Sequence, residues 1–248
     1  LEDYKARLSN DEFAEREIVA GIKYTPDSIF CDPVINLKLI SSLMYDWMHI
    51  YLEGGLLDTE IGLLMYELKQ NGTNITYDAL GEYVKLWQFP KRRGGKFSEY
   101  FSKPKAKSYL KAHKFNSCTA SDLLTMAPVF AKFFEKAAIV EGPCTGKLCS
   151  ILACLEVVEC LRAVQQGVVT PEVLAQYIHK HLQMFYDEYG PDRWRPKHHY
   201  ALHLPMMLKR FGTLHDCFCH ERKHRLIKRY AANRRNTTSY ETGVMEDC

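Results

Sequence analysis

Asp46, Met48 and His49 form a D-x-M-H string with three positions from carboxylate to imidazole. If Met48 and His49 open a helix, Asp46 falls at its N-cap, and both polar groups share one side of the first turn. Two chemistries follow. The carboxylate can hold a metal while the imidazole orients a neighbouring group. Alternatively, the carboxylate caps the helix and the imidazole packs beneath it. Residue type alone favours the cap, because Asp is among the preferred N-cap residues.

A second constellation lies near the other end. His220, Glu221 and His224 spell H-E-x-x-H. On a helix the two imidazoles face one way and can bind Zn²⁺, with Glu221 as general base and Glu241 or Glu246 as a third ligand. This makes a zinc metalloprotease an alternative reading. Arg222, Lys223, Arg225, Lys228 and Arg229 crowd the motif with positive charge, which disfavours a dication. His198, His199 and His203 share one helix and read as packed or surface imidazoles rather than ligands. His215, Cys217, Cys219 and His220 are spaced too irregularly for a Cys/His metal knot. The stretch from Gly142 to Lys147 resembles a phosphate loop. Its first Gly is one residue too close and Leu148 replaces the Ser/Thr, so it reads as an inter-helix turn.

The net charge of +3 conceals two basic blocks. Residues 91 to 114 carry nine Lys/Arg, Lys91, Arg92 and Arg93 among them, against Glu99 alone. Residues 192 to 235 carry twelve against Asp192, Asp216 and Glu221. Two such blocks on an otherwise acidic chain point to a polyanion, nucleic acid first, or to a solvated basic surface.

Helical elements must position these groups, since helical spacing dominates the apolar pattern. It predicts helices over residues 32–43, 59–70, 76–87, 121–140, 147–164, 170–189, 196–211 and 217–235, with caps at Thr76, Thr119 or Ser121, and Thr170. Residues 88–105, with Pro90, Gly94-Gly95 and Pro104, read as a basic loop. Residues 28–31 are a weak strand candidate. Trp47, Trp87 and Trp194 are expected as core anchors, with base stacking a second role for Trp194. The nine scattered cysteines lack a C-x-x-C pair and are expected as reduced, mostly buried thiols of an intracellular protein. No run approaches the roughly 18 apolar residues of a membrane span. No charged-then-apolar leader follows Leu1, so no secretory signal is expected.

Taken in order, Asp46, Met48, His49 and Ile50 are followed far downstream by His198, Leu202 and His203-Leu204. Glu221-Arg222, Ile227-Lys228, Tyr230 and Asn233 come next, and Ser239 with Glu241 close the series. This series resembles the C-terminal part of a CACTA-like, DDE-type cut-and-paste DNA transposase, over residues 24–60 and 192–246. The resemblance implies a mostly α chain: a helical insertion at 61–191 between two pieces of a split RNase H-like catalytic core, 1–60 and 192–248. It implies that Glu221 is the third acid of the site, that Asp32 or Asp46 is the front ligand, and that His49 orients the centre. The choice between Asp32 and Asp46 stays open, because the family's D-x-M-H element follows its second catalytic aspartate. The family's first catalytic aspartate has no counterpart here and would lie before Leu1.

The implied cofactor is Mg²⁺ or Mn²⁺, with Zn²⁺ belonging to the metalloprotease alternative. The implied reaction is metal-dependent DNA strand cleavage and joining. Arg222, Lys228 and Arg229 would meet phosphates, as would Lys91, Arg92 and Arg93 in the other block. DNA is the expected partner and the nucleus the expected compartment. No membrane partner is expected, and a homo-oligomer is allowed. An active enzyme and an inactive, domesticated relic both fit, as does a non-catalytic helical module that binds DNA or protein.

Overall fold

The computed structural model describes residues 5–20, 24–26, 34, 44–89, 97–115, 118–139 and 144–218. The helix expected at 32–43, Val34 excepted, the strand at 28–31, the basic residues Lys91 to Arg93 and the helix at 217–235 beyond Phe218 lie outside them. The chain divides into two compact units, Leu1–Leu43 and Met44–Cys248.

In the first unit, α1 spans Asn10–Ala20. A capping box starts it. Ser9 Oγ accepts from the Glu12 amide at 3.4 Å, and the Glu12 carboxylate accepts from the Ser9 amide at 3.0 Å. Two otherwise orphaned donors of the first turn are thereby satisfied.

The regular structure of the second unit is all helical, and its described residues contain no strand. In chain order it holds α2 (Trp47–Tyr51), α3 (Leu56–Gln70), α4 (Tyr77–Lys85), a 3₁₀ turn (Phe97–Phe101) and α5 (Lys103–Ala112). It continues with α6 (Ala120–Ile139), α7 (Thr145–Gln165), α8 (Pro171–Tyr189), α9 (Pro196–Ala201) and α10 (Leu204–Phe211). The mostly α architecture follows the helical period of the sequence. No helix among the described residues is long and apolar enough to cross a membrane.

α7 is the centre. Its Ile151, Cys154, Leu155, Val157, Val158 and Leu161 are all buried, so it is enclosed on nearly every side. It packs against α8, α6 and α3. One continuous hydrophobic core runs from Trp47 to Leu214, joining the front and back of this unit. An aromatic knot fills one end. The Phe115 ring lies 4.9 Å from Tyr109, 5.7 Å from Phe101 and 6.2 Å from Phe130, and such pairs add to simple area burial.

The caps follow from residue type. Thr76 accepts from the Ala79 amide, Thr119 from Asp122 and Thr170 from Val173. Gly212 ends α10 in the left-handed region, at φ 70°, where glycine has no Cβ to clash. Gly62 on α3 serves closeness instead. A Cβ there would collide with the Lys114 backbone, and the Phe115 amide beside it donates to the Asp58 carbonyl at 3.0 Å.

Two local expectations are corrected. The region read as loop to residue 105 folds into the 3₁₀ turn and then α5, because Pro104 stands in the first turn of a helix where its missing amide costs nothing. The helix expected over 196–211 breaks at Leu202 and His203, and a second helix begins with Pro205 in its first turn.

Candidate functional site

Asp46 caps α2. Its Oδ1 accepts from the Met48 amide at 2.9 Å, and its Oδ2 meets His49 Nδ1. Both carboxylate oxygens are therefore engaged within the D-x-M-H string. Trp47, Met48, Ile50 and Tyr51 are buried, which sinks α2 into the core. His49 stays at the edge with a side chain 41% exposed, against 14% for Asp46.

The back of the chain comes to this helix. The Trp47 amide donates to the His215 carbonyl at 3.2 Å, and the Trp47 ring meets Phe218 edge-on at 5.7 Å. Cys217 offers its sulfur within 4.8 Å of the Asp46 and His49 ligand atoms. Lys197 Nζ donates to the His49 carbonyl at 2.6 Å and to the Gly54 carbonyl at 2.9 Å. A cation thus serves the His49 carbonyl in the last turn of α2, where the helix dipole favours positive charge, and ties it to the turn at Gly54. Tyr45 stacks on Tyr200 at 4.8 Å and lies against His203 at 5.6 Å. The D-x-M-H string and the histidine-rich helix are one packed assembly.

The three histidines separate by environment. His198 is fully buried, with Nδ1 accepting from the Arg195 amide at 2.8 Å and the ring stacked on Trp194 at 4.7 Å. Burial depresses its pKa to about 4, so it is neutral at pH 7. His199 and His203 bring their Nε2 atoms to 3.1 Å at the surface, and burial and then His199 lower the His203 pKa. Trp194 is committed to His198 and Tyr186. Trp47 is a core anchor, whereas Trp87 is 39% exposed.

Asp58 is a buried acid that sequence pattern hid, because it sits in the first turn of α3 where acids are ordinary. It is fully buried beside Lys114 and Lys197, and its Oδ2 accepts from the Gly54 amide at 2.8 Å. Burial raises its pKa to about 8, against the opposing pull of that amide and the two lysines.

Of the residues singled out from sequence, Asp46 and His49 lie together. Asp32, Lys91, Arg92, Arg93, His220, Glu221, Arg222, His224, Lys228 and Arg229 lie outside the described residues. Cys217, read from sequence only as part of an irregular Cys/His knot, and Lys197, from the second basic block, join the pair. A divalent ion of the Mg²⁺ or Mn²⁺ kind wants several carboxylate oxygens. Among the described residues the seam supplies one carboxylate, with its oxygens already bonded, plus one nitrogen and one sulfur. That mixed set suits a softer ion, so a Mg²⁺ centre here requires further acids from elsewhere in the chain. No known protein family, no curated protein and no solved structure matches this chain.

Proposed function

We propose that the chain derives from a DDE-type, CACTA-like DNA transposase and that its seam around α2 is part of a site for metal-dependent DNA strand cleavage and transfer. One observation carries the reading. The D-x-M-H helix is hydrogen-bonded through Trp47 to His215 and packed on Phe218, three residues before Glu221. Those are the two stretches whose order and spacing resemble the transposase pattern.

In this reading Glu221, with Asp32 or Asp46, would hold Mg²⁺ or Mn²⁺, which would supply Lewis-acid activation of water and of the leaving 3′-oxygen. Where Asp32 is the ligand, the Asp46–His49 pair acts as a positioning pair, with both Asp46 oxygens committed to the Met48 amide and His49. Lys197 fixes α2 by its carbonyls. Arg222, Lys228 and Arg229, and in the other block Lys91, Arg92 and Arg93, neutralise DNA phosphates. An RNase H-like core, the nucleus as compartment and a homo-oligomeric assembly belong to the same reading.

The commitment of both Asp46 oxygens also favours a second reading, in which Asp46 is only a cap and the chain is a non-catalytic DNA-binding module. Mn²⁺ binding separates the two. Titration of the full chain with Mn²⁺, read by electron paramagnetic resonance, is expected to weaken roughly tenfold or more in Glu221→Gln. Mn²⁺ affinity equal in wild type and Glu221→Gln removes the catalytic reading and leaves the binding module.

A further inference from the structure

Away from the seam, three helices deliver polar side chains to the middle of the core. Glu60 comes from α3, Ser150 and Cys154 from α7, and His181 from α8, and all four are fully buried. His181 Nε2 lies 2.8 Å from one Glu60 oxygen, and Ser150 Oγ donates to the other at 2.5 Å. This wiring is not that of a serine nucleophile. The serine meets the carboxylate rather than the imidazole, so the Ser–His–acid order of a triad is absent.

The arrangement is that of a ligand set. One ligand atom each from Glu60, Cys154 and His181 falls within 4.8 Å of the others. The Tyr51 hydroxyl, on a fully buried residue whose ring lies 6.0 Å from His181, has no hydrogen-bond partner among the described residues. Placing a carboxylate, an imidazole, a thiol and a phenol together in an apolar core is unfavourable unless something compensates them. Ser150, His181 and the Cys154 thiol all turn to the one Glu60 carboxylate, which leaves His181 Nδ1 and the Tyr51 hydroxyl without a partner among the described residues.

We propose that Glu60, Cys154 and His181 hold a structural zinc ion between α3, α7 and α8, with the Tyr51 hydroxyl as the fourth donor. Oxygen, nitrogen and sulfur in one tetrahedral set are zinc's ligands, and a closed site without open positions is its structural form. On binding, the Cys154 thiol gives its proton to solvent and His181 binds as the neutral imidazole. The Cys154 thiolate and the Glu60 carboxylate then cancel the dication, so the core carries no net charge. Ser150 keeps its hydrogen bond to the second Glu60 oxygen and orients the ligand from behind. Because Tyr51 ends α2, the ion ties the D-x-M-H helix to the three longer helices. The ligands are closed off from solvent, so the ion enters as the helices assemble and leaves only when they part.

The test uses the full chain produced with zinc in the medium. Metal content is measured by elemental mass spectrometry before and after chelator, in the folded and the denatured state. A second sample is stripped in denaturant and refolded with Co²⁺. The expected result is one zinc per chain that resists chelator until unfolding, and a thiolate-to-cobalt charge-transfer band after refolding. Cys154→Ala removes the band, and His181→Gln lowers zinc content roughly tenfold or more. Cys217→Ala and His224→Ala leave both signals intact. Wild-type protein with neither zinc nor a cobalt band overturns the proposal. Zinc that follows Cys217 or His224 rather than Cys154 overturns it as well, and moves the ion to the seam or to the H-E-x-x-H string.

Discussion

Asp58 and His198 are buried groups whose titrations pull stability in opposite directions. The folded pKa of Asp58 is raised to about 8, so its contribution is complete below the unfolded value near 4 and is lost as pH rises through about 8. The folded pKa of His198 is depressed to about 4, so its contribution is complete above the unfolded value near 6.5 and is lost as pH falls through about 4. For His198 the full loss amounts to about 3 kcal/mol. Asp58→Asn imitates the protonated acid. Its melting temperature relative to wild type is expected to climb between pH 4 and pH 8 and then level off; a difference that stays flat across that range contradicts the assignment. Lys197→Met removes the cation that serves the His49 carbonyl of α2 and the Glu53 and Gly54 carbonyls of the turn after it. We expect a loss of about 1–3 kcal/mol in urea unfolding, and no loss would mean those hydrogen bonds do not hold the helix.

At the scale of elements, the core depends on a few helices and one aromatic knot. Phe115 sits fully buried among Tyr109, Phe101 and Phe130. Phe115→Ala is expected to cost about 3–5 kcal/mol, read from the denaturation midpoint at unchanged m-value. A loss under about 1 kcal/mol would show that the knot collapses to fill the gap. The long helices α6, α7 and α8 were legible because apolar residues recur at helical spacing and Thr or Pro marks their starts. The Asp46 cap was legible for the same local reason. α5 was hidden by Gly94, Gly95 and Pro104, since proline signals a loop or a first helical turn with the same letter. The buried polar cluster was hidden more deeply. Glu60, Cys154 and His181 come from three helices far apart in sequence, and each looks ordinary on its own helix. Only the packing of α3, α7 and α8 brings them together.

At the scale of the molecule, charge and topology bear on one claim. The front string and the histidine-rich back are packed together in the second unit, and the chain carries two basic blocks on an otherwise acidic background. In the proposed reading the two basic blocks meet the phosphates of DNA. Nucleic-acid binding of this kind releases counterions, and its affinity falls steeply with salt. The most direct test is fluorescence anisotropy of labelled duplex DNA with the full chain, from low to physiological salt. The account predicts binding at low salt that weakens by roughly tenfold or more, with a shallower slope when Arg222, Lys228 and Arg229 are changed together to Ala. No binding at low salt, or binding indifferent to salt and to those three residues, would contradict it.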